Sequence, residues 1–393
     1  METTFSSRAG VVTVRSVRPA DVLRRADATV IDLRSPAEFA VDHLPGARNV
    51  PLFDDVERAL VGTLYRQSSP AAAFEEGRAI TRRKIAALVA ELVGGAGADL
   101  DAAELERRVD RLTTGGIEEL SRSIVTEPAE DVPGGAILLN CWRGGLRSRS
   151  VAGLLVSLGF VRVVVLAGGY KAYRAHVAST IAAWQPPRPW VLCGWTGVGK
   201  TLVLQAIERL RPGWTIDLEA LAGHRSSLLG MVGLEPRSQK AFESGLAARL
   251  RALAGAPLVV EGESRKVGDV ILPPPLWSAM GGGVALELTA PIERRIEVLR
   301  RDYLVDERSR RELLLQLPHV EERMERAEGE PTLVELLLGG RIDELVTRLL
   351  VRYYDPLYRH SERGRRYVAT FDASDPEAAA NHVVGWIEAA HRG

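Results

Sequence analysis

The feature that most constrains the fold of this chain is the segment Gly194-Trp-Thr-Gly-Val-Gly-Lys-Thr201. It follows a short apolar run, Trp190–Cys193, that is typical of a buried strand, and it precedes an apolar pattern at helical spacing over Leu202–Leu210. A glycine-rich loop between a strand and a helix points backbone amides and the positive end of the helix at a bound phosphate. The segment therefore predicts an α/β domain with a phosphate site where the strand ends.

The predicted phosphate- or diphosphate-binding residues are Gly194, Gly197, Gly199, Lys200 and Thr201. The glycines let the backbone curl around a phosphate, the lysine neutralises a terminal phosphate, and the threonine hydroxyl can hold Mg²⁺. Kinases, hydrolases that couple cleavage to motion, and proteins that bind diphosphate esters all use such a loop. The motif alone leaves these three classes open.

Polar residues after the neighbouring predicted strands are further candidates for the same site. Asp217, Glu261 and Glu263 each follow a strand pattern, where a carboxylate on the magnesium side of a phosphate site usually lies, although solvated acids are as common there. His224 and Arg225 come shortly after Asp217, so we treat them as candidate substrate contacts. Mg²⁺ is a candidate cofactor, and the sequence assigns no definite metal ligands.

A second loop of similar design begins at Cys141. An apolar strand pattern, Ala136–Asn140, ends at this cysteine, and a helical pattern starts about five residues later. Arg143 and Arg147 bring positive charge to the loop, which favours a thiolate or a persulfide at Cys141 over the protonated thiol. We predict that these three residues are catalytic. The alternative is a buried structural cysteine beside a solvated basic loop.

The alternation of strand and helix patterns continues on both sides of the segment Gln185-Pro-Pro-Arg-Pro189. Prolines at this density block both helix and sheet, so we predict a linker at residues 185–189. Residues 11–184 form the predicted first domain, with an all-helical insertion over about 70–125, and residues 190–393 form the second, with a helical C-terminal part. Both domains are predicted to be α/β with parallel sheets.

Composition narrows the class of protein further. Lys plus Arg and Asp plus Glu both number 51, so any nucleic-acid contact has to come from a local basic face. The two cysteines cannot form a disulfide framework. The chain has neither an N-terminal signal pattern nor an apolar run of about 18 residues, so we expect a cytoplasmic protein without a membrane partner.

Four segments in the first half resemble a rhodanese domain, which carries sulfur as a cysteine persulfide. They are Asp32–Phe39, His43–Pro51, the loop that starts at Cys141, and Leu166–Gly169. Five residues separate Cys141 from Arg147, whereas ordinary rhodaneses have four, and the longer loop also occurs in the related Cys-dependent phosphatases. This difference weighs against a plain thiosulfate sulfurtransferase.

A rhodanese-like domain fused to a P-loop NTPase-like α/β domain resembles the bacterial tRNA 2-selenouridine synthase family. The stretches that carry this resemblance are Gly62–Pro70, Cys141–Ser148, Gly194–Thr201, Asp217–Arg225, Ser238–Glu243 and Glu261–Arg265. The chain departs from the expected pattern at Ser226, where we expect a glycine after Arg225.

The resemblance implies that the protein replaces the sulfur of wobble 2-thiouridine in tRNA with selenium. The implied co-substrates are selenophosphate and geranyl diphosphate, which gives an S-geranylated intermediate, and a selenophosphate-producing enzyme is an implied partner. Whether ATP is used stays open. Two alternatives also stay open: a persulfide relay or Cys phosphatase fused to a P-loop kinase, and a nucleotide-switched binding module.

Overall fold

The computed structural model describes residues 11–24, 27–94, 100–253, 255, 257–361 and 364–392. The chain divides into two compact units, Met1–Ser179 and Thr180–Gly393, and each is described by itself. The division falls a few residues before the proline-rich segment 185–189, which has no regular secondary structure. Among the described residues, no helix is long and apolar enough to cross a membrane.

The first unit is built on a six-stranded parallel sheet. Its strands are β1 (Val12–Val17), β2 (Thr29–Asp32), β3 (Arg48–Asn49), β4 (Ile124–Pro128), β5 (Ile137–Asn140) and β6 (Val163–Leu166). Their spatial order is β3-β2-β5-β6-β1-β4, so β5 lies inside the sheet between β2 and β6. Because β5 is flanked on both sides, the loop that follows it starts among the carboxyl ends of neighbouring strands, where ligands of parallel sheets bind.

In the described part of the first unit, eight helices accompany this sheet in the order of the chain. They are α1 (Pro19–Val22), α2 (Pro36–Val41), α3 (Asp55–Gln67), α4 (Pro70–Val93), α5 (Ala102–Thr113), α6 (Gly116–Ser123), α7 (Leu146–Ser157) and α8 (Gly169–Ala183). The helical segment begins at Asp55, earlier than the expected residue 70. It ends before β4, an edge strand that pairs with β1 and that the sequence pattern did not predict.

The core of the first unit joins the helical segment to the sheet. Along α4, Ile85, Leu88, Val89 and Leu92 are buried at three- and four-residue spacing, which puts them on one face of the helix. They belong to the same apolar cluster as Leu105 and Val109 of α5 and the inward side chains of β1, β2 and β5. Burial of one such side chain contributes about 1.5–3 kcal/mol, so the insertion helices are held by packing against the sheet domain.

The second unit has a five-stranded parallel sheet in the order β13-β12-β7-β9-β8. Its strands are β7 (Trp190–Cys193), β8 (Thr215–Ile216), β9 (Val259–Glu261), β12 (Val284–Thr289) and β13 (Ala369–Asp372), and a separate antiparallel hairpin consists of β10 (Lys266–Val267) and β11 (Val270–Ile271). β7 is the central strand, with β9 on one side and β12 on the other. The predicted fold class, two parallel α/β sheets, is confirmed.

Helices cover this sheet and continue into a largely helical C-terminal part. They are α9 (Lys200–Leu210), α10 (Leu218–Ala222), α11 (Gln239–Ala252), α12 (Pro274–Gly281), α13 (Ile292–Tyr303), α14 (Glu307–Glu321), α15 (Leu333–Leu338), α16 (Ile342–Leu349), α17 (Asp355–Ser361) and α18 (Pro376–Arg392), with a π-helical turn over Leu350–Tyr354. α9 and α18 share an apolar cluster with the sheet, whereas α13–α16 enclose a cluster of their own.

Candidate active sites

The Cys141 loop starts at the carboxyl end of β5. Cys141 is 2% exposed, and its Sγ atom lies 3.1 Å from the hydroxyl of Ser148 in the first turn of α7. Either atom can donate this hydrogen bond, and the N-terminus of α7 adds a positive helix dipole beside the loop. The loop therefore holds its cysteine in surroundings suited to an anionic sulfur or selenium atom.

Glycines allow this loop to pack against the start of α8. Gly144 and Gly169 have φ values of +62° and +60°, which L side chains rarely adopt. A Cβ atom on Gly169 would lie 2.3 Å from the carbonyl oxygen of Cys141 and from the amide nitrogen of Gly144. The amide of Tyr170 donates to the Cys141 carbonyl at 2.9 Å. Contacts from the first residues of α8 therefore fix the position of the backbone around Cys141.

The two predicted loop arginines have different surroundings. Arg147 is about three-quarters buried, its Nη1 atom forms no hydrogen bond, and this atom lies 3.7 Å from the Glu38 carboxylate. Arg143 is exposed. A buried guanidinium nitrogen without a hydrogen bond is costly unless a ligand uses it, so Arg147 is the better candidate for an anion contact.

A buried polar cluster fixes the strand ends beside the loop. Arg34 is fully buried and pairs with Asp32 of β2, with 2.6 Å between Nη2 and Oδ2, and Asn140 of β5 donates to the same carboxylate oxygen at 3.2 Å. The Arg34 guanidinium stacks 3.7 Å from the ring centre of Tyr170. The Tyr170 hydroxyl donates to Asp42 at 2.8 Å. Burial and the Asp42 charge raise the pKa of Tyr170, so this hydroxyl stays protonated and connects α8 to the segment after α2.

The second predicted loop connects β7 to α9 in the second unit. Gly194, Gly197 and Gly199 have φ values of +145°, +80° and +92°, so the loop uses backbone conformations that other residues rarely adopt. Lys200 Nζ donates to the carbonyl oxygen of Gly194 at 3.0 Å, which holds the lysine across the loop. The amide of Gly194 donates to the hydroxyl of Tyr358 in α17 at 2.6 Å.

Two carboxylates lie close to Thr201, the last residue of this loop. Thr201 Oγ1 lies 2.9 Å from Glu219 Oε2 and 3.4 Å from Glu261 Oε2. The amide of Glu219 donates to Glu261 at 2.8 Å. A cavity of about 960 Å³ opens beside them, and Asp217, Glu219 and Glu263 all line it. The site thus combines a phosphate-type loop with an acidic wall.

Burial raises the pKa of all four carboxyl groups. For Glu219 the pKa rises to about 8, first through burial and then through the charge of Glu263, and Lys200 opposes this shift. For Glu261 the pKa lies well above its usual range, and for Asp217 and Glu263 it is also raised, in each case mainly through burial. A bound cation offsets the cost of ionising such groups.

Among the described residues, no group of three or more His, Cys, Asp and Glu side chains is arranged to hold a metal ion. Magnesium commonly binds through one or two protein oxygen ligands together with phosphate oxygens and water. The Thr201 hydroxyl and the neighbouring Glu219 and Glu261 carboxylates fit that arrangement, in which the ligand supplies the remaining oxygens.

Most residues predicted for the second site surround one cavity. Those that line it are Gly197, Gly199, Lys200, Thr201, Asp217, Arg225 and Glu263. Gly194 and Glu261 do not line it but contact residues that do, through the hydrogen bonds to Lys200 and Thr201. His224 lies outside the lining and packs closely against Gly230 and Gly268, and burial lowers its pKa.

The sequence analysis missed Glu219 and Tyr358. Glu219 lies in the first turn of α10, two residues after Asp217, and its position just after the strand that follows α9 was a usable signal. Tyr358 contacts Gly194 across 164 residues of chain, and no local pattern identifies such a contact.

Ser226, the residue found where we expected glycine, has a φ of +48° and is the non-glycine residue with positive φ among the described parts of the chain. It lines the same cavity as Arg225. The local backbone thus has the left-handed conformation that a glycine adopts readily. In this conformation the Cβ atom of Ser226 is sterically strained.

We predict that Ser226→Gly stabilises the protein, because glycine removes the strain of a left-handed serine. The expected gain is about 1 kcal/mol, or about 2–4 °C in unfolding temperature for a domain of this size. Thermal unfolding by circular dichroism measures it. Ser226→Ala removes the hydroxyl and keeps the strain, so an equal gain in that control would assign the effect to the hydroxyl instead.

The raised pKa of Glu219 predicts a specific dependence of stability on pH. In the unfolded chain this carboxyl ionises near pH 4.3, whereas in the folded, cation-free protein it keeps its proton up to about pH 8. The free energy of unfolding therefore falls as pH rises through this window. Glu219→Gln cannot ionise, so it should lose less stability between pH 5 and pH 8.

Thermal unfolding in EDTA across pH 5–9 tests this dependence. The exposed Glu325→Gln is the matched control and should follow the wild-type curve. Parallel pH curves for the wild type and Glu219→Gln would show that Glu219 ionises normally in the folded protein.

Comparisons with known proteins identify similar sequences over the second unit and over most of the chain. Residues 187–327 match the family model described as the tRNA 2-selenouridine synthase AAA domain. A solved structure, the N-terminal domain of a putative ATP/GTP binding protein from Clostridium difficile 630, is 27% identical to this chain. The match covers 41% of this chain and 98% of that one, with a TM-score of 0.30.

Similar curated proteins extend the match over most of the chain. The tRNA 2-selenouridine synthase of Aeromonas salmonicida is 32% identical over 369 residues, which cover 86% of this chain and 89% of that protein. That of Pseudomonas fluorescens is 32% identical, with coverage of 86% and 90%. That of Nitrosomonas europaea is 33% identical over 71% of this chain and 64% of its own length. The chain therefore belongs to the tRNA 2-selenouridine synthase family of enzymes.

Proposed function

We propose that the protein replaces the sulfur of wobble 2-thiouridine in tRNA with selenium taken from selenophosphate. The observation that carries this proposal is the Cys141 loop. It combines a buried thiol that contacts a hydroxyl with a buried guanidinium nitrogen, on Arg147, that has no hydrogen bond. Such a loop suits a tetrahedral anion with a soft atom, which describes selenophosphate. The similar proteins are tRNA 2-selenouridine synthases, which supports selenation of tRNA as the reaction.

The first step is alkylation of the thiouridine sulfur by geranyl diphosphate. Sulfur attacks C1 of the geranyl group, the C1–O bond breaks, diphosphate leaves with the electron pair, and the base loses its N3 proton to solvent. The loop at Gly194–Thr201 supports this assignment, because it provides a lysine and glycine amides for the diphosphate. Mg²⁺ held near Thr201 and Glu219 would neutralise charge on the leaving group.

The second step exchanges sulfur for selenium. Selenium attacks C2 of the alkylated base, the C2–S bond breaks, and geranylthiol leaves after it takes a proton. Water then cleaves the Se–P bond and supplies the oxygen that appears in phosphate. The exchange involves no net oxidation or reduction. Alkylation is useful because a thioether sulfur leaves more readily than a thiocarbonyl sulfur.

Cys141 and Arg147 have distinct roles in this scheme. Arg147 binds a phosphate-type oxygen of selenophosphate, and Cys141, oriented by Ser148, lies where the selenium atom is delivered. A selenophosphate-producing enzyme is the partner that this chemistry requires. Neither step as written consumes ATP.

We predict that substitutions in the two loops separate the two steps. Cys141→Ser should abolish selenation and leave geranylation, so S-geranyl-2-thiouridine accumulates. Lys200→Ala should weaken diphosphate binding by about 10- to 100-fold, the loss typical of one charged hydrogen bond, so unmodified 2-thiouridine accumulates. Mass spectrometry of tRNA nucleosides from complemented deletion strains supplied with selenium measures both.

Controls keep these outcomes distinct. Cys193→Ala removes the other thiol, a buried β7 residue, and should keep selenation. Selenouridine that persists in a strain without this protein contradicts the proposed function. If instead the purified protein turns over ATP without tRNA, or releases phosphate from an aryl phosphate, a P-loop kinase or a Cys phosphatase explains the two loops better.

A further inference from the structure

The first unit contains a cavity that the two predicted loops do not explain. It has a volume of about 620 Å³ and lies among α3, α4, α5, α6 and α7. Its wall consists mainly of apolar side chains, such as Val61, Phe74, Leu112 and Leu146. Pockets for small organic ligands have volumes of about 300–1,000 Å³ and mostly apolar linings, so both size and lining fit a hydrocarbon ligand.

The cavity is continuous with the Cys141 loop. Trp142, Arg143 and Arg147 belong to the loop and also line the cavity. Trp142 packs at a tilt against Tyr170, with 5.5 Å between ring centres, and is only partly buried. A ligand in the cavity therefore lies against the residues that flank the candidate selenium-handling thiol.

Cationic and aromatic side chains lie at the exposed part of the lining. Arg66 and Arg143 are exposed, and neither forms an ion pair within the part of the chain that the structure describes. Tyr65 is 61% exposed although its side chain is aromatic. Unpaired arginines suit the phosphates of a nucleotide, and exposed aromatic rings suit the face of an unstacked base. The lining thus combines features for a hydrocarbon and features for a nucleotide.

Helix α3 forms an incompletely packed wall of this cavity. None of its 13 residues is buried, although Val61 and Tyr65 line the cavity and Val56 and Leu60 are exposed apolar residues. A helix in an insertion usually buries one apolar face in a core. Here that face borders the cavity, and a hydrocarbon ligand would cover it.

From these observations, and resting on the proposed function, we propose that this cavity binds the branched ten-carbon chain of the S-geranylated wobble nucleotide during selenation. The chain lies among the apolar side chains, the base lies near Trp142 and Tyr65, and C2 faces the Cys141 loop. Geranylthiol leaves C2 by the bond changes given above and stays in the cavity until it is released. The diphosphate loop of the second unit has no part in this binding.

Chain-length preference in the selenation step tests this proposal. Val61→Phe narrows the cavity from the loosely packed α3 wall, and Phe74→Ala enlarges it from α4. Purified wild type and variants receive tRNA that already carries an S-linked chain of five, ten or fifteen carbons, together with selenophosphate. We expect Val61→Phe to lower the rate for ten carbons relative to five by at least tenfold, and Phe74→Ala to raise the rate for fifteen carbons relative to ten.

The ratio of selenation rates for different chain lengths distinguishes an effect on ligand binding from an effect on folding. A variant that only misfolds loses activity with all three chains equally, whereas a cavity wall changes the ratio. Val56→Phe is the matched control, because it adds the same ring to the same helix at a residue that is 79% exposed and outside the lining. Its ratios should equal those of the wild type.

Two results distinguish this inference from the proposed function. If the wild type converts the geranylated tRNA but neither wall variant changes the chain-length ratio, the cavity assignment is wrong and the proposed function stands. The same holds if the variants change chain preference only in the alkylation step with free prenyl diphosphates. If the wild type forms no selenouridine from geranylated tRNA, the proposed function itself fails.

Discussion

Both candidate sites depend on the same steric constraint, the turn that a chain makes where a central parallel strand ends. After β5 the loop can approach α8 only because Gly169 has no side chain, since a Cβ there would overlap the backbone of Cys141 and Gly144. After β7 a Cβ on Gly197 would lie 2.9 Å from the carbonyl oxygen of Arg295. In each unit a glycine contact therefore fixes the direction of the backbone in the candidate anion-binding loop before any ligand arrives.

The two loops differ in the charge that surrounds them, and this difference supports the different ligands that we propose for them. The Cys141 loop has arginines and the first turn of α7, so it favours an anion directly. The P-loop faces Glu219, Glu261 and Glu263, whose burial keeps their pKa values high. An anionic ligand that approaches this acidic wall is favoured when a divalent cation accompanies it. A diphosphate with magnesium meets that condition, whereas a small soft anion is better served by the arginine loop.

The elements that could be predicted are those that follow from the pattern of apolar residues and glycines over a short stretch of sequence. The strand Trp190–Cys193 and the helix that follows it could be read from apolar runs and glycines, because strand, loop and helix are consecutive in the chain. The edge strand β4 was missed, since Ile124–Pro128 is mostly exposed and shows no apolar run. The contact from Tyr358 to Gly194 and the cavity beside Trp142 arise from packing between distant segments, which one sequence does not encode locally. The site residues themselves stay predictions until substitutions test them.

The helical insertion supports the proposal that this rhodanese-like sheet serves a reaction on an alkylated base. A persulfide relay needs only the loop at the strand end, because its cargo is a single sulfur atom. A base that carries a hydrocarbon chain has additional apolar surface near the reacting carbon, and exposure of that surface to water is unfavourable. Helices α3–α6 of the insertion form one wall of the cavity for that surface, and α7, which starts in the Cys141 loop, forms the opposite wall.

Helix α7 contributes to both features. It provides the Ser148 hydroxyl that contacts the Cys141 thiol and, one turn later, apolar residues such as Val151 that line the cavity. One structural element thereby fixes the spacing between the proposed sites of anion delivery and hydrocarbon binding.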